Sequence, residues 1–417
     1  MQYLLLVIFL LLITKDFRRG VVIYAPFKFF FYEGFQVGSV TFDIVVSVYV
    51  CLVYLLKYRN LLKNVNFPWK KSFILLTISG IIYSFHPSLY LGEMLRQIFC
   101  IYGYGFIFFC ALNEKKIFNT FIKSCAIFAF LLAGNGLIQL FTDINVLGKF
   151  HDQFYSAEFT DNNLVRFGNF SRIRSFCSHS ISYGVECVVF SVLFIYLFFQ
   201  EKKDFFKSFY YLVIALCLIG IITSGSRTPL VGIAVMLLPL FRSFGRIAPY
   251  QKIIVTLVVV LFCALFGSYV LDMINSIINP ESTNVEGSNT IGRLGQFAYS
   301  IYLVQNNWLL GYGNVNIMDM PNFDYSILFG AESIWMVTLL QKGLIGIFAY
   351  IYFYVDVFKH LPKNNKKLFI FFVLGWLVID SATSLMGINM FLPIMIITIL
   401  YKIGNLQNIT QYDYAKK

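Results

Sequence analysis

The sequence predicts an all-α polytopic membrane protein with about 12 transmembrane helices (about 11 to 13) in a single transmembrane domain, residues 1–417. The first observation is composition, because 58% of the residues are hydrophobic and only 13% are charged. A soluble domain cannot bury that much apolar surface, whereas a bilayer removes the need. The second is length, since runs such as 117–141 and 252–271 match the roughly 20 residues that cross the hydrocarbon core. The third is the distribution of charge.

Short loops separate the remaining apolar runs, and the loops of alternate turns are basic. The runs lie near residues 1–14, 21–36, 39–56, 72–86, 92–112, 180–199, 208–224, 229–241, 330–355, 368–383 and 386–402. The basic loops contain Lys57, Arg59, Lys63, Lys70, Lys71, Lys115, Lys116, Lys202, Lys203, Lys207, Arg242, Arg246, Lys252, Lys359, Lys363, Lys366, Lys367, Lys402, Lys416 and Lys417. The positive-inside rule places these loops and the C-terminus in the cytoplasm, which explains the net charge of +12 without a nucleic-acid partner.

The first 36 residues leave the helix count open. The segment KDFRRG (15–20) interrupts two short apolar runs, which could form two crossings or one broken crossing. Twelve helices with both termini inside is the favoured interpretation. The first 14 residues have no basic stretch before the apolar run and no small-residue cleavage site, so we do not expect a removed signal peptide.

Two long loops are predicted on the outer face, which is the periplasm or the cell exterior. Residues 142–179 form the first large outer loop, and residues 276–329 form the second. Both are rich in turn-forming residues, and loops of this length are usually functional or disordered. Their aromatic residues argue against full disorder, so we expect an ordered lid over an outward-facing cavity.

Cysteine and histidine do not predict a disulfide framework or a metal site. Most of the eight cysteines lie inside apolar runs: Cys51, Cys100, Cys110, Cys125, Cys217 and Cys263. The four histidines are scattered: His86, His151, His179 and His360. The outer loops lack a paired-aspartate metal motif, for which residues 319–324 (DMPNFD) are a poor substitute. A metal-independent reaction without a cofactor is therefore favoured.

The functional hypothesis rests on the basic residues that are predicted to lie on the outer side, contrary to the positive-inside rule. The outward-facing ones are Arg96, Lys149, Arg166, Arg172, Arg174, Arg227 and Arg293. Arg172 and Arg174 lie at the end of the first long loop. Arg227 lies in a very short outward turn, and Arg293 lies within the second long loop. Three separate segments thus bring guanidinium groups to one membrane boundary, and a guanidinium holds phosphate oxygens bidentately.

The backbone near Arg227 adds to this prediction. Thr228 and Pro229 are typical of an N-cap and a first helical residue, which would point free amides outward as an anion site. A lipid-linked diphosphate would suit both the charge and the location. The alternative for a single arginine is an interface anchor. For Arg172 and Arg174 the alternative is pairing with acidic residues of their own loop (Asp152, Glu158 and Asp161), and Arg96 is expected to pair internally with Glu93.

Two residues are candidates for acid–base chemistry. Glu332 opens the helix after the second loop, and His179 lies at the matching point after the first loop. Either could activate a hydroxyl of an acceptor. The alternative for both is helix capping or hydrogen bonding within a loop. Asp272, Glu186 and Asp380 are expected to contact other helices.

Four ordered segments resemble the motifs of a known family, the O-antigen polymerase and ligase superfamily. They are RIRSFCSHSISYG, SGSRTPLVG, GRLGQFAYSIYLVQNNWLLGYGN and ESIWMVTLLQKGLIGI, which together cover roughly residues 165–350. The resemblance implies a C-type membrane glycosyltransferase fold and a metal-independent enzyme that uses undecaprenyl-diphosphate-linked glycans. It also implies that Arg174, Arg227 and Arg293 hold the donor diphosphate, and Arg172 is a further candidate from its position in the first loop. Ligases of the family tend to have histidine where this chain has Glu332, so the resemblance favours a polysaccharide polymerase (Wzy-type).

The function that follows is polymerisation of lipid-linked repeat units in the inner membrane of a bacterium, at its outer leaflet. The growing chain would pass from its diphosphate carrier to a sugar hydroxyl of the incoming unit, with Trp308 and Tyr312 as sugar-binding surfaces. The partners are a lipid-linked donor and acceptor, together with a chain-length regulator protein in the membrane. O-antigen, capsule and exopolysaccharide all fit. The first alternative is an O-antigen ligase acting on lipid A core. The second is a non-enzymatic flippase, which should carry basic residues deep in its helices to draw the head group through. Apart from Lys342 and Arg96, such mid-helix basic residues are lacking in the sequence.

Overall fold

A computed structural model gives the fold. It describes residues 2–31, 36–37, 40–59, 65–87, 89–148, 165–167, 170–200, 204–239, 271, 290–315, 317–324, 327, 332–384 and 390–414. Several predicted features lie outside these residues: residues 252–270 of the run 252–271, residues 149–164 and 168–169 of the first outer loop, Lys149, Asp152, Glu158, Asp161, Arg242, Arg246, Lys252, Cys263 and Asp272.

The regular secondary structure of the described residues is α-helical apart from two short hairpins and a 3-10 helix at Ile317–Asp319. The helices are α1 (Gln2–Lys15), α2 (Phe17–Phe31), α3 (Phe42–Val53, continued by a π-helical turn at Tyr54–Tyr58), α4 (Lys70–Phe85), α5 (Leu91–Ala111, π-helical at Arg96–Gly103), α6 (Lys115–Thr142), α7 (Ser180–Gln200), α8 (Asp204–Thr223), α9 (Arg227–Leu237), α10 (Thr290–Val304), α11 (Ile334–Lys359), α12 (Lys366–Ala382) and α13 (Phe391–Tyr414). The hairpins pair β1 (Gln36–Val37) with β2 (Val40–Thr41), and β3 (Val165–Phe167) with β4 (Phe170–Ser171).

Four of these helices are long and apolar enough to cross a membrane: Leu91–Ala111, Lys115–Thr142, Ser180–Leu197 and Ile334–Lys359. Shorter apolar helices accompany them, for example at Tyr3–Lys15 and Phe209–Thr223. A mostly helical membrane protein is therefore supported, while the count of twelve crossings stays a prediction.

Residues 2–31 form two helices. Asp16 ends α1, and α2 folds back against it, so that the Phe9 ring lies 5.0 Å from Tyr24 and 5.5 Å from Phe31. A side chain at Gly20 would lie 2.6 Å from the Cα of Ile13, so glycine allows the two helices to approach closely.

The basic helix ends meet at one end of the bundle. Ser72, near the start of α4, donates a 2.9 Å hydrogen bond to Asp356, three residues before α11 ends at Lys359. Arg18, at the start of α2, pairs with Glu114 immediately before α6. We refer to this as the basic end of the bundle.

Lys28 and Arg96 each pair with a carboxylate inside the bundle. Lys28 on α2 is fully buried, with its Nζ 2.6 Å from Asp43 Oδ1 and 2.7 Å from Ser47 Oγ on α3. The expected pair of Arg96 with Glu93 is confirmed at 2.9 Å. Such pairing is what the low dielectric of a membrane interior requires. The seven cysteines within the described residues are buried free thiols.

Helix α11 is two antiparallel limbs joined at Gly343. Gly343 has φ 58° and ψ −156°, a conformation open essentially to glycine alone. The Trp335 ring lies 6.1 Å from Tyr350 and 6.2 Å from Tyr354, whereas a straight helix would separate these positions by about 22 Å and about 28 Å. The run 330–355 is therefore not one straight helix, although the apolar run in the sequence predicted one. Its start packs beside Tyr350 and Tyr354 on the second limb.

The second long loop contains ordered structure. After α10, residues 308–313 pack on the Gly343 turn through backbone hydrogen bonds, such as Leu344 N–H to Trp308 O at 2.9 Å and Tyr312 N–H to Leu340 O at 2.7 Å. Gly311 makes this approach possible, since a side chain there would lie 2.6 Å from Leu340 O. We refer to residues 308–313 as the docked segment.

Candidate functional site

A tight turn between α8 and α9 presents the first candidate arginines. Gly225 has φ +65°, the left-handed conformation that glycine adopts without strain. Arg172 is 6% exposed, and it donates from Nε to Ser224 O at 3.1 Å and from Nη2 to Ser226 Oγ at 2.5 Å. Its guanidinium therefore secures the turn that leads into Arg227.

Arg227 is the first residue of α9, and Ser226 is the N-cap. The prediction that Thr228 caps the helix and Pro229 begins it was wrong by two residues. The physical reason is that proline is tolerated throughout the first helical turn, where its missing N–H has no partner to lose. A helix start with free backbone amides is still present at this turn, as predicted for an anion site, and the half-buried Arg227 lies beside those amides.

The C-terminal end of α12 joins the starts of two other helices. Thr228 Oγ1 donates to Ala382 O at 3.4 Å, and Ile334 N–H donates to the next carbonyl, Thr383 O, at 3.0 Å. Because these two acceptors are adjacent, the first turns of α9 and α11 lie on neighbouring sides of α12. Arg227 and Glu332 are thereby brought to the same region.

Ser333 and Asp380 fix the start of α11. Ser333 is fully buried, and its Oγ accepts from Trp335 N–H at 3.3 Å as an N-cap. The same hydroxyl donates to the backbone oxygen of Asp380 at 3.2 Å. The Asp380 carboxylate accepts from the Tyr354 hydroxyl on the second limb of α11, which confirms the expected contact with another helix. The residue before this anchored start is Glu332.

Glu332 pairs with Arg293, the candidate arginine of α10. Glu332 Oε2 lies 3.3 Å from Arg293 Nε, and the two side chains are 32% and 33% exposed. Both groups are therefore accessible to a ligand. Two residues that the sequence assigned to different roles, one to the diphosphate and one to proton transfer, lie in direct contact.

His179 and Arg174 flank the start of α7. His179 is exposed, and its Nδ1 accepts from Ile181 N–H at 3.1 Å, so the ring caps the helix. Arg174 is half-buried and donates to Cys177 O at 3.3 Å. The first turns of α7 pack against the turn before α9, since a side chain at Gly184 would lie 2.6 Å from Ser224 Oγ.

Trp308 and Tyr312 lie apart from this region. They belong to the docked segment, more than three helical turns along α10 from Arg293. The Tyr312 hydroxyl donates to Leu303 O at 2.9 Å, so it is occupied within the protein. Trp308 is 57% exposed and lines an apolar groove. The structure thus does not bring these two predicted sugar-binding residues next to the Arg293–Glu332 pair.

Sequence reasoning missed the residues that assemble the region. Ser226 and Ser333 are N-caps directly beside Arg227 and Glu332, and the serine in each motif was the available signal. Gly343, within the motif that follows Glu332, was the signal for the reversal of α11.

The arrangement is suited to an anion and to proton transfer. Helix starts supply amides, Arg227 and Arg293 supply permanent cations, and Glu332 supplies a carboxylate at the edge of the cationic region. Within the described residues, His, Cys, Asp and Glu form no group of three that could hold a metal ion.

The fold and this region define a helical membrane protein with arginines and a carboxylate gathered at helix ends. Residues 212–351 match the family model Wzy_C, described as O-antigen ligase, and this match contains Arg227, Arg293 and Glu332. The chain is also 28% identical over 183 residues to an O-antigen ligase of Pseudomonas aeruginosa. That alignment covers 43% of this chain and 42% of the relative, so the chain matches less than half of the relative's length. These two matches confirm the resemblance to the O-antigen polymerase and ligase superfamily.

Proposed function

We propose that this protein is a polysaccharide polymerase that joins undecaprenyl-diphosphate-linked repeat units. The proposed location is the inner membrane of a bacterium, with the site facing the periplasm or cell exterior. The observation that carries the proposal is the contact of Arg293 with Glu332 in the region that also receives Arg227. A cation for the leaving diphosphate and a carboxylate for the attacking hydroxyl are the two groups that glycosyl transfer needs.

The reaction exchanges one bond at the anomeric carbon of the donor sugar. The bond to the diphosphate oxygen breaks, and its electron pair leaves on the diphosphate, which Arg227 and Arg293 stabilise. The acceptor hydroxyl bonds to the same carbon, and its proton passes to Glu332. Diphosphate binding to Arg293 competes with the ion pair, and thereby releases the Glu332 carboxylate to accept that proton.

Glu332 is a better base than His179 on geometric grounds. The Nδ1 of His179 accepts a backbone N–H, so the neutral ring carries its proton on Nε2 and offers a donor rather than an acceptor to a hydroxyl. We assign His179 to donor hydrogen bonding. Arg172 is assigned to positioning, because its guanidinium is buried against the turn before Arg227. Arg174 remains a candidate for the outer side of the diphosphate, and the proposed reaction is metal-independent.

An O-antigen ligase is the second candidate, because the named relative carries that description. The ligase would share the donor site and differ in its acceptor. Deleting the protein in its host and separating the surface glycan on a gel distinguishes them. A polymerase deletion leaves single repeat units, whereas a ligase deletion leaves long polymer on the lipid carrier and none on the core.

Point variants test the site itself. In the deletion strain, Arg227→Ala and Arg293→Ala should abolish the polymer ladder, and Arg59→Ala, on an exposed residue near the end of α3, should restore it fully. Full ladders from both arginine variants would contradict the proposed site.

A further inference from the structure

Polar side chains connect α6 to both ends of the first outer loop. Asn135 on α6 donates from Nδ2 to Asn145 Oδ1 at 2.8 Å and to Ser175 Oγ at 3.0 Å. Its Oδ1 accepts from Leu147 N–H at 3.0 Å. Gln139, one helical turn further along α6, accepts from Ser175 N–H at 3.0 Å. We refer to the side chains of Asn135, Gln139, Asn145 and Ser175 as the polar clasp.

The polar clasp is buried in apolar surroundings. Asn135 and Gln139 belong to a helix that is long and apolar enough to cross a membrane. Both are less than one-tenth exposed, and Ser175 is fully buried. Amide side chains are costly in such a place unless they are hydrogen-bonded. Here both of them bond the same residue, Ser175.

The bonds converge on a residue in an unusual conformation. Ser175 has φ +53°, which a residue with a side chain keeps only where the surrounding structure over-determines it. Besides the bonds from α6, its carbonyl oxygen accepts from Asn145 Nδ2, and its hydroxyl donates to Leu132 O at 2.8 Å. Ser175 lies within a turn in which Cys177 N–H donates to Arg174 O at 3.0 Å. The conformation of Ser175 therefore sets the direction in which the chain leaves Arg174.

Arg174 lies between the polar clasp and the turn before α9. On the side away from the clasp, Ile173 N–H donates to Thr223 O at 2.9 Å, and the Arg172 guanidinium donates to the next carbonyl. That turn leads directly into Arg227. The chain on either side of Arg174 is thus fixed, once by α6 and once by the end of α8.

We propose that Asn135 and Gln139 are positioning residues for the donor diphosphate. They hold Ser175 in its left-handed conformation, and the conformation of Ser175 directs Arg174 to the diphosphate that Arg227 also binds. The inference rests on the proposed function. Asn135 and Gln139 do not touch the substrate, so they act only through Ser175 and Arg174.

Loss of the polar clasp should weaken recognition of the donor and not of the acceptor. The test variant is Asn135→Leu, and the matched control is Asn119→Leu, the same substitution at an exposed position of α6. Purified protein is assayed with a donor whose own acceptor hydroxyl is methylated and an acceptor with a methyl group in place of the lipid diphosphate. We expect Asn135→Leu to raise the donor KM about tenfold, the effect of losing one hydrogen bond to a charged group. The acceptor KM should be unchanged, as should both constants of Asn119→Leu.

A double-mutant cycle tests whether Asn135 acts through Arg174. In the Arg174→Ala background, Asn135→Leu should raise the donor KM by less than about twofold, because the arginine that it positions is already absent. If the two effects multiply instead, Asn135 acts independently of Arg174 and the proposal is overturned. A wild-type donor KM for Arg174→Ala overturns it as well.

Glycine at position 175 offers a rescue. Glycine adopts a positive φ without strain, so adding Ser175→Gly to Asn135→Leu should recover at least about threefold of the lost donor KM. No recovery would show that Asn135 does not act through the conformation of Ser175. If Asn135→Leu does not fold, Ser175→Ala, which removes one hydroxyl, takes its place. It should also raise the donor KM, and an unchanged KM overturns the proposal.

The outcomes separate this inference from the proposed function. If Asn135→Leu has the wild-type donor KM while Arg227→Ala and Arg293→Ala are inactive, the positioning role fails and the proposed function stands. If Arg227→Ala and Arg293→Ala are both fully active, the proposed function fails and the positioning role fails with it.

Discussion

Substituting Gly343 by alanine disrupts the reversal of α11 on which the candidate site depends. The φ and ψ values of Gly343 cost a non-glycine residue about 1–3 kcal/mol. The added Cβ would also lie 2.5 Å from the carbonyl carbon and oxygen of Leu309, so the docked segment must move. The hydrogen bonds between the docked segment and the Gly343 turn, worth about 1 kcal/mol each, would weaken as well. We therefore expect the local stability of the docked segment to fall by at least about 2 kcal/mol.

Hydrogen exchange of backbone amides measures this loss directly. Tyr312 N–H bonds Leu340 O at 2.7 Å and Gly313 N–H bonds Gln341 O at 2.9 Å, so both amides exchange only when the docked segment opens. A loss of about 2 kcal/mol corresponds to about 30-fold faster exchange.

The control is Gly134→Ala on α6, where an added Cβ meets nothing within 4 Å. Alanine is the better helix former, so this variant should exchange at the wild-type rate. If Gly343→Ala also exchanges at the wild-type rate, the reversal of α11 and the position of the docked segment are both wrong.

Three further predictions concern the parts around the site. Arg172→Ala should lower the stability of the protein in detergent by about 1–3 kcal/mol, because Ser224 O and Ser226 Oγ lose a buried charged donor. Thermal unfolding checks this, and unchanged stability would show that the guanidinium does not secure the turn. Ser333→Ala should cost about 1 kcal/mol and lower kcat more than it raises KM, since the cap positions Glu332. Equal changes in both constants would argue against that role. A chelator should leave the activity of purified protein unchanged; a loss that Mg²⁺ or Mn²⁺ restores would contradict a metal-independent reaction.

Local rules predicted the local features well. The pair of Arg96 with Glu93 follows from a spacing of three residues, which places two side chains on one helical face, and it is present at 2.9 Å. The basic loops were predicted to share one face, and the contact of Ser72 with Asp356 joins two of their helix ends. Both predictions need only the period of a helix or the direction of successive crossings.

The reversal at Gly343 could not be read from hydropathy. The run 330–355 is apolar on both sides of this residue, and a single positive φ changes the direction of the chain without changing composition. The sequence therefore placed Glu332 only at the start of a single helix after the second loop. Gly311 and Gly343 are the sequence features that indicate the reversal, because their backbones approach each other too closely for a side chain.

The pairing of Arg293 with Glu332 could not be predicted from the sequence either. Both residues were selected, but charge complementarity alone allows each arginine several carboxylate partners. The pair is formed because α10 and the first limb of α11 run side by side, and that arrangement depends on the docked segment.

The most direct test of the central claim is the turnover of purified Glu332→Gln with a lipid-diphosphate donor and a matching acceptor. The substitution keeps the shape of the side chain and removes its ability to accept a proton. We predict a loss of about 10²–10⁴-fold in kcat with donor binding retained. Glu114→Gln, which alters the exposed partner of Arg18 at the basic end of the bundle, should keep full turnover. Wild-type kcat for Glu332→Gln would contradict the assignment of this region as the site of glycosyl transfer.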